Sequence, residues 1–126
     1  MTEPTRPFAE SIVEAVAGEH GTSTEELWEL VERHQSRMAE LPGTDNLVYE
    51  WRRGLPYDPV LFRTSEAHYV AVNDVWPEFA SDLGLTETET RALAAVHDRQ
   101  LRAAAADREV SVEPLEEAVA VVVTRR

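Results

Sequence analysis

The sequence predicts an α+β fold, mostly helical, in which two helical hairpins flank a small antiparallel β-hairpin or meander. Three observations predict it. Ser23-Thr24-Glu25-Glu26 and Thr86-Glu87-Thr88-Glu89 each set a hydroxyl three residues ahead of a glutamate, the pattern that caps the start of a helix. A shorter helical stretch precedes each one and is broken by glycine, at Gly18 and Gly21 in the first case and at Gly84 in the second. Between the two pairs lie two runs rich in β-branched and aromatic residues, 60–64 and 68–72, joined by the polar link Ser65-Glu66-Ala67.

The elements follow in order. A first helix is expected over residues 7–17, with Pro7 at its first position and Phe8, Ile12, Val13 and Val16 on one side. The second runs over residues 24–41 and stops at Pro42-Gly43. Residues 47–51 alternate apolar with other side chains and predict a strand. Residues 54–59, with Gly54, Pro56 and Pro59, form a turn-rich loop ahead of the hairpin. Asp74 caps a short helix that carries Pro77 in its first turn and ends at Gly84. The second capping box then opens a long helix to about residue 107. Residues 114–123 leave two readings. A helix is favoured for the first part, while Val121-Val122-Val123 suits an edge strand.

Residues 17–34 resemble residues 80–97 at a constant offset. Ala17 matches Ala80, Gly21 matches Gly84, Glu26 matches Glu89, Leu30 matches Leu93 and His34 matches His97. Two helices joined in the same way give much of this pattern, and the other positions match poorly.

One domain over residues 1–126, with a flexible N-terminus at residues 1–6, fits the length. The chain has no cysteine, which excludes disulfides, thiolate zinc sites and thiol catalysis. Its 24 acids face 12 bases, a formal net charge of -12. Every base is arginine, and Ile12 stands as the lone isoleucine among many valines. That combination predicts a salt-rich cytoplasm. At about 1 M salt the screening length is only about 3 Å, so dense surface carboxylates barely repel one another. In dilute buffer they push the compact state apart. No signal segment or long apolar run is visible, and a cytoplasmic location is expected.

Helical wheels place His34 in the middle of an apolar arc made by Leu27, Leu30, Val31, Met38 and Leu41. His97 sits in a second arc with Leu93, Ala94, Leu101 and Ala104. One reading is a pair of core histidines satisfied by backbone or tyrosine. The sharper one is a polar pocket floor of His34, His97 and Gln100. Neither histidine has a ligand-type partner three or four residues away, so no metal ligand is assigned. No cofactor-binding residue is assigned, because the glycines are too scattered for a phosphate loop. No catalytic residue is assigned either, and the chain is read as more a binding domain than an enzyme. Trp51, Arg52, Arg53, Tyr57 and Arg63 form a candidate interaction surface, since aromatic residues and arginine are the usual anchors. The expected partner is a second copy or another cytoplasmic protein, not a membrane. The alternatives are a helix-turn-helix regulator that contacts DNA through Arg91, Arg99 and Arg102, and a small-molecule or enzyme site at the histidines.

The order Asp58-Pro59-Val60, His68-Tyr69-Val70-Ala71-Val72, Val75-Trp76-Pro77-Glu78-Phe79, Leu83-Gly84-Leu85 and Ala95-Val96-His97-Asp98-Arg99-Gln100 resembles small uncharacterised proteins of halophilic archaea. The likeness covers about the last two-thirds of the chain. It implies an origin and no activity.

Overall fold

The computed structural model describes residues 7–40 and 43–125, without the side chains of Thr44 and Asp45. The expected flexible N-terminus and the end of the second helix at Leu41 and Pro42 lie outside the described residues. The elements are α1 (Glu10–His20), α2 (Thr24–Glu40), α3 (Thr44–Gly54), β1 (Val60–Arg63), β2 (Ala67–Val72), α4 (Trp76–Leu83), α5 (Glu87–Asp107), a single 3-10 turn (Glu113–Glu116) and β3 (Val119–Thr124). The fold is α+β and mostly helical, with one antiparallel three-stranded sheet in the order β1-β2-β3.

The two helical hairpins form as their punctuation predicts. Gly21 (φ 67°) ends α1 and Gly84 (φ 66°) ends α4, both in the left-handed region that a side chain disfavours. Each turn closes with the same pair of bonds. Gly21 and Thr22 donate to the Ala17 carbonyl, and Gly84 and Leu85 donate to that of Ala80. At α5 the capping box is complete, with Thr86 Oγ1 accepting from the Glu89 amide and Glu89 accepting from the Thr86 amide. At α2 it is half made. Ser23 Oγ accepts from the Glu26 amide, but the Glu26 carboxylate turns to the Thr22 hydroxyl instead of the Ser23 amide. Asp74 Oδ1 accepts from the Trp76 amide at the start of α4, as expected.

Two expectations are corrected, and one left open is decided. Helix α1 starts at Glu10, not Pro7. Ala9 is extended (φ -83°, ψ 136°) because its amide donates to Gln100 Oε1 on α5 at 2.8 Å. Residues 47–51 are not a strand but the middle of α3. Leu47 and Trp51 are four residues apart and both half-buried, Val48 is buried, and Tyr49 is 62% exposed, a helical stripe that a five-residue alternation imitates. The tail is not helical beyond Glu113–Glu116. Val119–Thr124 is a strand because its β-branched run pairs with all six residues of β2, from Val119↔Val72 to Thr124↔Ala67.

Every residue of β2 is buried, and so are all of β3 after Val119. Successive strand residues point to opposite faces, so both faces of the sheet are covered. β1 is short, and its pairing with β2 skips Leu61 between Val60↔Val70 and Phe62↔Tyr69. Helix α5 packs along β3 and touches α1, α2 and α4, which places it at the centre of the molecule.

Candidate functional site

The outer edge of β3, away from β2, is where the buried polar groups meet. An edge strand leaves amides and carbonyls unpaired, and burying them without partners is costly. Here helix side chains supply the partners. The Val122 amide donates to Nδ1 of His97 on α5 at 2.9 Å. Gln35 on α2 donates through Nε2 to the Val122 carbonyl at 2.8 Å and accepts through Oε1 from the Thr124 amide at 2.9 Å. The Thr124 hydroxyl also donates to Gln35 Oε1, at 3.1 Å. One side-chain amide therefore bridges residues 122 and 124 as the N–H and C=O of one residue in a parallel neighbouring strand would. His97 and Gln35 stand in for a fourth strand.

His34 lies behind this edge. Its ring centroid is 5.0 Å from that of His97, 4.3 Å from Phe79 and 5.3 Å from Trp76. Phe8 and Trp76 each lie 5.0 Å from the His97 ring. Both histidines are wholly buried. Among the described residues, neither nitrogen of His34 has a hydrogen-bond partner, nor does Nε2 of His97. Since His97 Nδ1 accepts from Val122, the neutral ring carries its proton on Nε2. Burial holds His34 down at about 3, and burial together with the neighbouring His34 holds His97 well below the usual imidazole value. Both rings are neutral near pH 7, and an aromatic neighbour can offer a stranded N–H group only a weak contact with its π face.

The wheel therefore placed both histidines correctly, and the structure brings them together. It does not bring Gln100 into one site with them as a free polar group, because Gln100 is 8% exposed and anchors the Ala9 amide. The rings of Phe8, Trp76 and Phe79 pack against the two imidazoles. Sequence reasoning missed Gln35. Its position four residues after Val31 and three before Met38 was a signal, since that places it on the apolar side of α2. Among the described residues, no group of three or more histidines and carboxylates is placed to hold a metal ion.

A family model, the domain of unknown function DUF8048, matches residues 6–125. The chain belongs to this family. No curated protein and no solved structure matches it.

The arginines of this DUF8048 domain are placed less freely than their sequence positions suggest. Arg91 pairs with Glu87, Arg99 with Glu19 and Arg102 with Asp98. Arg99 holds Glu19 below the usual carboxylate range, through its hydrogen bond and its charge. Arg37 meets Asp82 through two bonds, at 2.8 and 3.1 Å. Glu19 and Asp82 occupy matching places at the ends of α1 and α4, and each reaches the long helix of the other hairpin. The candidate interaction surface divides in two. Arg52, Arg53 and Tyr57 are exposed on α3 and the loop after it, with Trp51 half-buried beneath them. Arg63 is exposed at the far end of β1. The Tyr57 hydroxyl donates to the Ala71 carbonyl at 3.1 Å, which fixes the loop against β2. Beside β1 an open trough of about 690 Å³ is lined by Val60, Leu61, Val110 and the acidic side chains Glu113, Glu116 and Glu117.

Proposed function

We propose that this DUF8048 domain is a non-catalytic, salt-adapted cytoplasmic module that works through contacts with protein. The observation that carries this reading is the exposed aromatic and cationic surface of α3 and its following loop. Tyr49 is 62% exposed and Tyr57 39%, and they sit with Arg52 and Arg53. Tyrosine and arginine supply much of the energy at protein interfaces, because both bring large contact area with a polar tip. Arg91 and Arg102 share α5 with the carboxylates they pair with, Glu87 and Asp98, and the chain carries a net charge of -12, so the DNA-binding alternative gains no support. The rings packed against His34 and His97 lend none to a small-molecule site. A photo-crosslinking residue at position 49, compared with one at Glu29 on α2, tests the reading in cells. Protein adducts at position 49 and not at position 29 support it. Adducts at neither position, or equally at both, overturn it.

Salt adaptation is supported by the composition, 24 acids against 12 arginines and no lysine. The ion pairs described are at the surface, where such pairs contribute little. The excess carboxylate is therefore screened by solvent ions and not by the chain. The urea midpoint should rise between about 0.1 M and about 1 M KCl, as the screening length falls from about 10 Å to about 3 Å. A midpoint that does not move would remove this part of the proposal.

A further inference from the structure

The trough beside β1 and the exposed surface of α3 are parts of one surface. Asp58 Oδ1 accepts from Arg52 Nε at 3.2 Å and also from the Val60 amide at 3.0 Å. The same oxygen thus ties the guanidinium of Arg52 to a residue that lines the trough. One end of this surface carries Arg52 and Arg53, exposed on α3, with the exposed Asp58 neutralising part of their charge. The other is acidic, with Glu113, Glu116 and Glu117 exposed around the trough. Between them lie the apolar Val60, Leu61 and Val110, and Leu61 is the residue that the β1–β2 ladder skips. Arg108, the residue that follows α5, is set over the Phe62 ring at 5.5 Å.

A surface basic at one end and acidic at the other, with an apolar middle, is complementary to itself under a two-fold rotation. Rotation sets each copy's arginines against its partner's glutamates and lays the two apolar strips together. We infer that this surface is a two-fold contact with a second copy of the chain, in which Arg52 and Arg53 of one copy meet Glu113, Glu116 and Glu117 of the other. The inference rests on the protein-contact reading above and names its partner. A stable contact of standard size buries about 800 Å² on each partner. That is roughly a ninth of the 7194 Å² that the chain exposes. The trough alone is too small for this, so the contact must run on to Tyr57 and Tyr49. Among the described residues, those are the two large aromatic side chains left exposed. The strong negative charge of the whole chain opposes pairing at low salt, and the local match of charges directs it.

Sedimentation velocity in about 0.3 M KCl, where screening acts over on the order of 5 Å, tests the inference from low micromolar to several hundred micromolar protein. The native chain should dimerise. Arg52→Glu with Arg53→Glu should weaken the dimer at least about tenfold, and so should Glu113→Arg with Glu116→Arg and Glu117→Arg. Mixing the two reversed chains should restore a dimer, because each then meets its opposite charge at both ends. Far-ultraviolet circular dichroism confirms that each variant is folded. Should a reversed chain fail to fold, Arg52→Gln with Arg53→Gln takes its place and should also weaken the dimer. A native chain that stays monomeric throughout overturns the inference. So do folded reversed variants that still dimerise alone, or a mixture that does not pair. A monomeric native chain that still gives adducts with another protein from position 49 would overturn the two-fold contact and leave the protein-contact reading standing.

Discussion

The hairpins α1–α2 and α4–α5 share a left-handed glycine, a capping hydroxyl and a buried histidine at matching places, yet they hold β3 by different residues. The α4–α5 hairpin uses the shared histidine, His97, whose Nδ1 accepts from the Val122 amide. The α1–α2 hairpin leaves its counterpart, His34, without a hydrogen bond among the described residues and uses the next residue, Gln35, for the Val122 carbonyl and the Thr124 amide. The residue that matches Gln35 on the other side is Asp98, which pairs with Arg102 at the surface. Equivalent positions in sequence have therefore come to inequivalent work. One imidazole is a backbone partner, and the other is packing between rings.

The largest break in this comparison is expected at Gln35. Replacement by leucine keeps most of the volume but strands a buried carbonyl and a buried amide, at about 1–3 kcal/mol each, so Gln35→Leu should cost about 2–6 kcal/mol in urea unfolding. His97→Leu strands one amide and should cost about 1–3 kcal/mol. Hydrogen exchange sharpens the pair. The Thr124 amide should lose protection in Gln35→Leu and the Val122 amide in His97→Leu. If the two variants expose the same amides, the division of labour drawn above is wrong.

Acid should act on both histidines together. The unfolded chain carries imidazoles near 6.5 and takes up protons that the folded chain refuses. His34 is held down to about 3 in the folded state and His97 well below its usual value. Stability is then full above about pH 6.5 and falls as pH drops below it, by about 1.4 kcal/mol per pH unit for each histidine. No carboxylate faces either ring in the contacts described, where Phe8, Trp76, Phe79 and the two imidazoles meet one another, so nothing reverses this sign. His34→Leu should remove about half of that slope between pH 7 and 5, followed by tryptophan fluorescence. At pH 8 the same substitution should change stability by less than about 1 kcal/mol, because no hydrogen bond is lost. A wild type and a leucine variant that run parallel through the acid range would contradict the burial of a neutral His34.

The smallest effect concerns the caps. Thr86→Ala removes one side of a complete box and Ser23→Ala one side of a half-made one. Both should fall within about 0.5–2 kcal/mol, with Thr86→Ala the larger. The reverse order would show that the Glu26–Thr22 contact matters more than the box geometry.

Much of this was legible in the chain. The caps, both left-handed glycines, the hairpin of residues 60–72 and the burial of His34 and His97 follow from periodicity and local chemistry. What was not legible depends on contacts distant in sequence. Residues 47–51 carry an alternation short enough to suit either period, and burial against α2 decides for the helix. Residues 114–123 hold a proline compatible with an early helical position, and pairing with β2 decides for the strand. The start of α1 is set by Gln100, ninety-one residues away. Gln35 was passed over because a polar residue on an apolar face looks like noise until a strand edge is placed beside it.

The sealed edge of β3 bears on how the chain behaves before it is fully folded. Val119–Thr124 is a short, β-branched, uncharged run with no proline, the kind of segment that stacks into fibrils when its edge is open. In the native state Gln35 and His97 occupy the positions where a further strand would add. On the opposite side the sheet ends in β1, which is short, irregular in register and charged at Arg63. The folded sheet thus offers poor footing for templated growth in either direction. A chain whose α2 and α5 have not yet closed on β3 lacks that protection, so conditions that delay helix docking should lead to insoluble cross-β material more readily than to a soluble unfolded monomer.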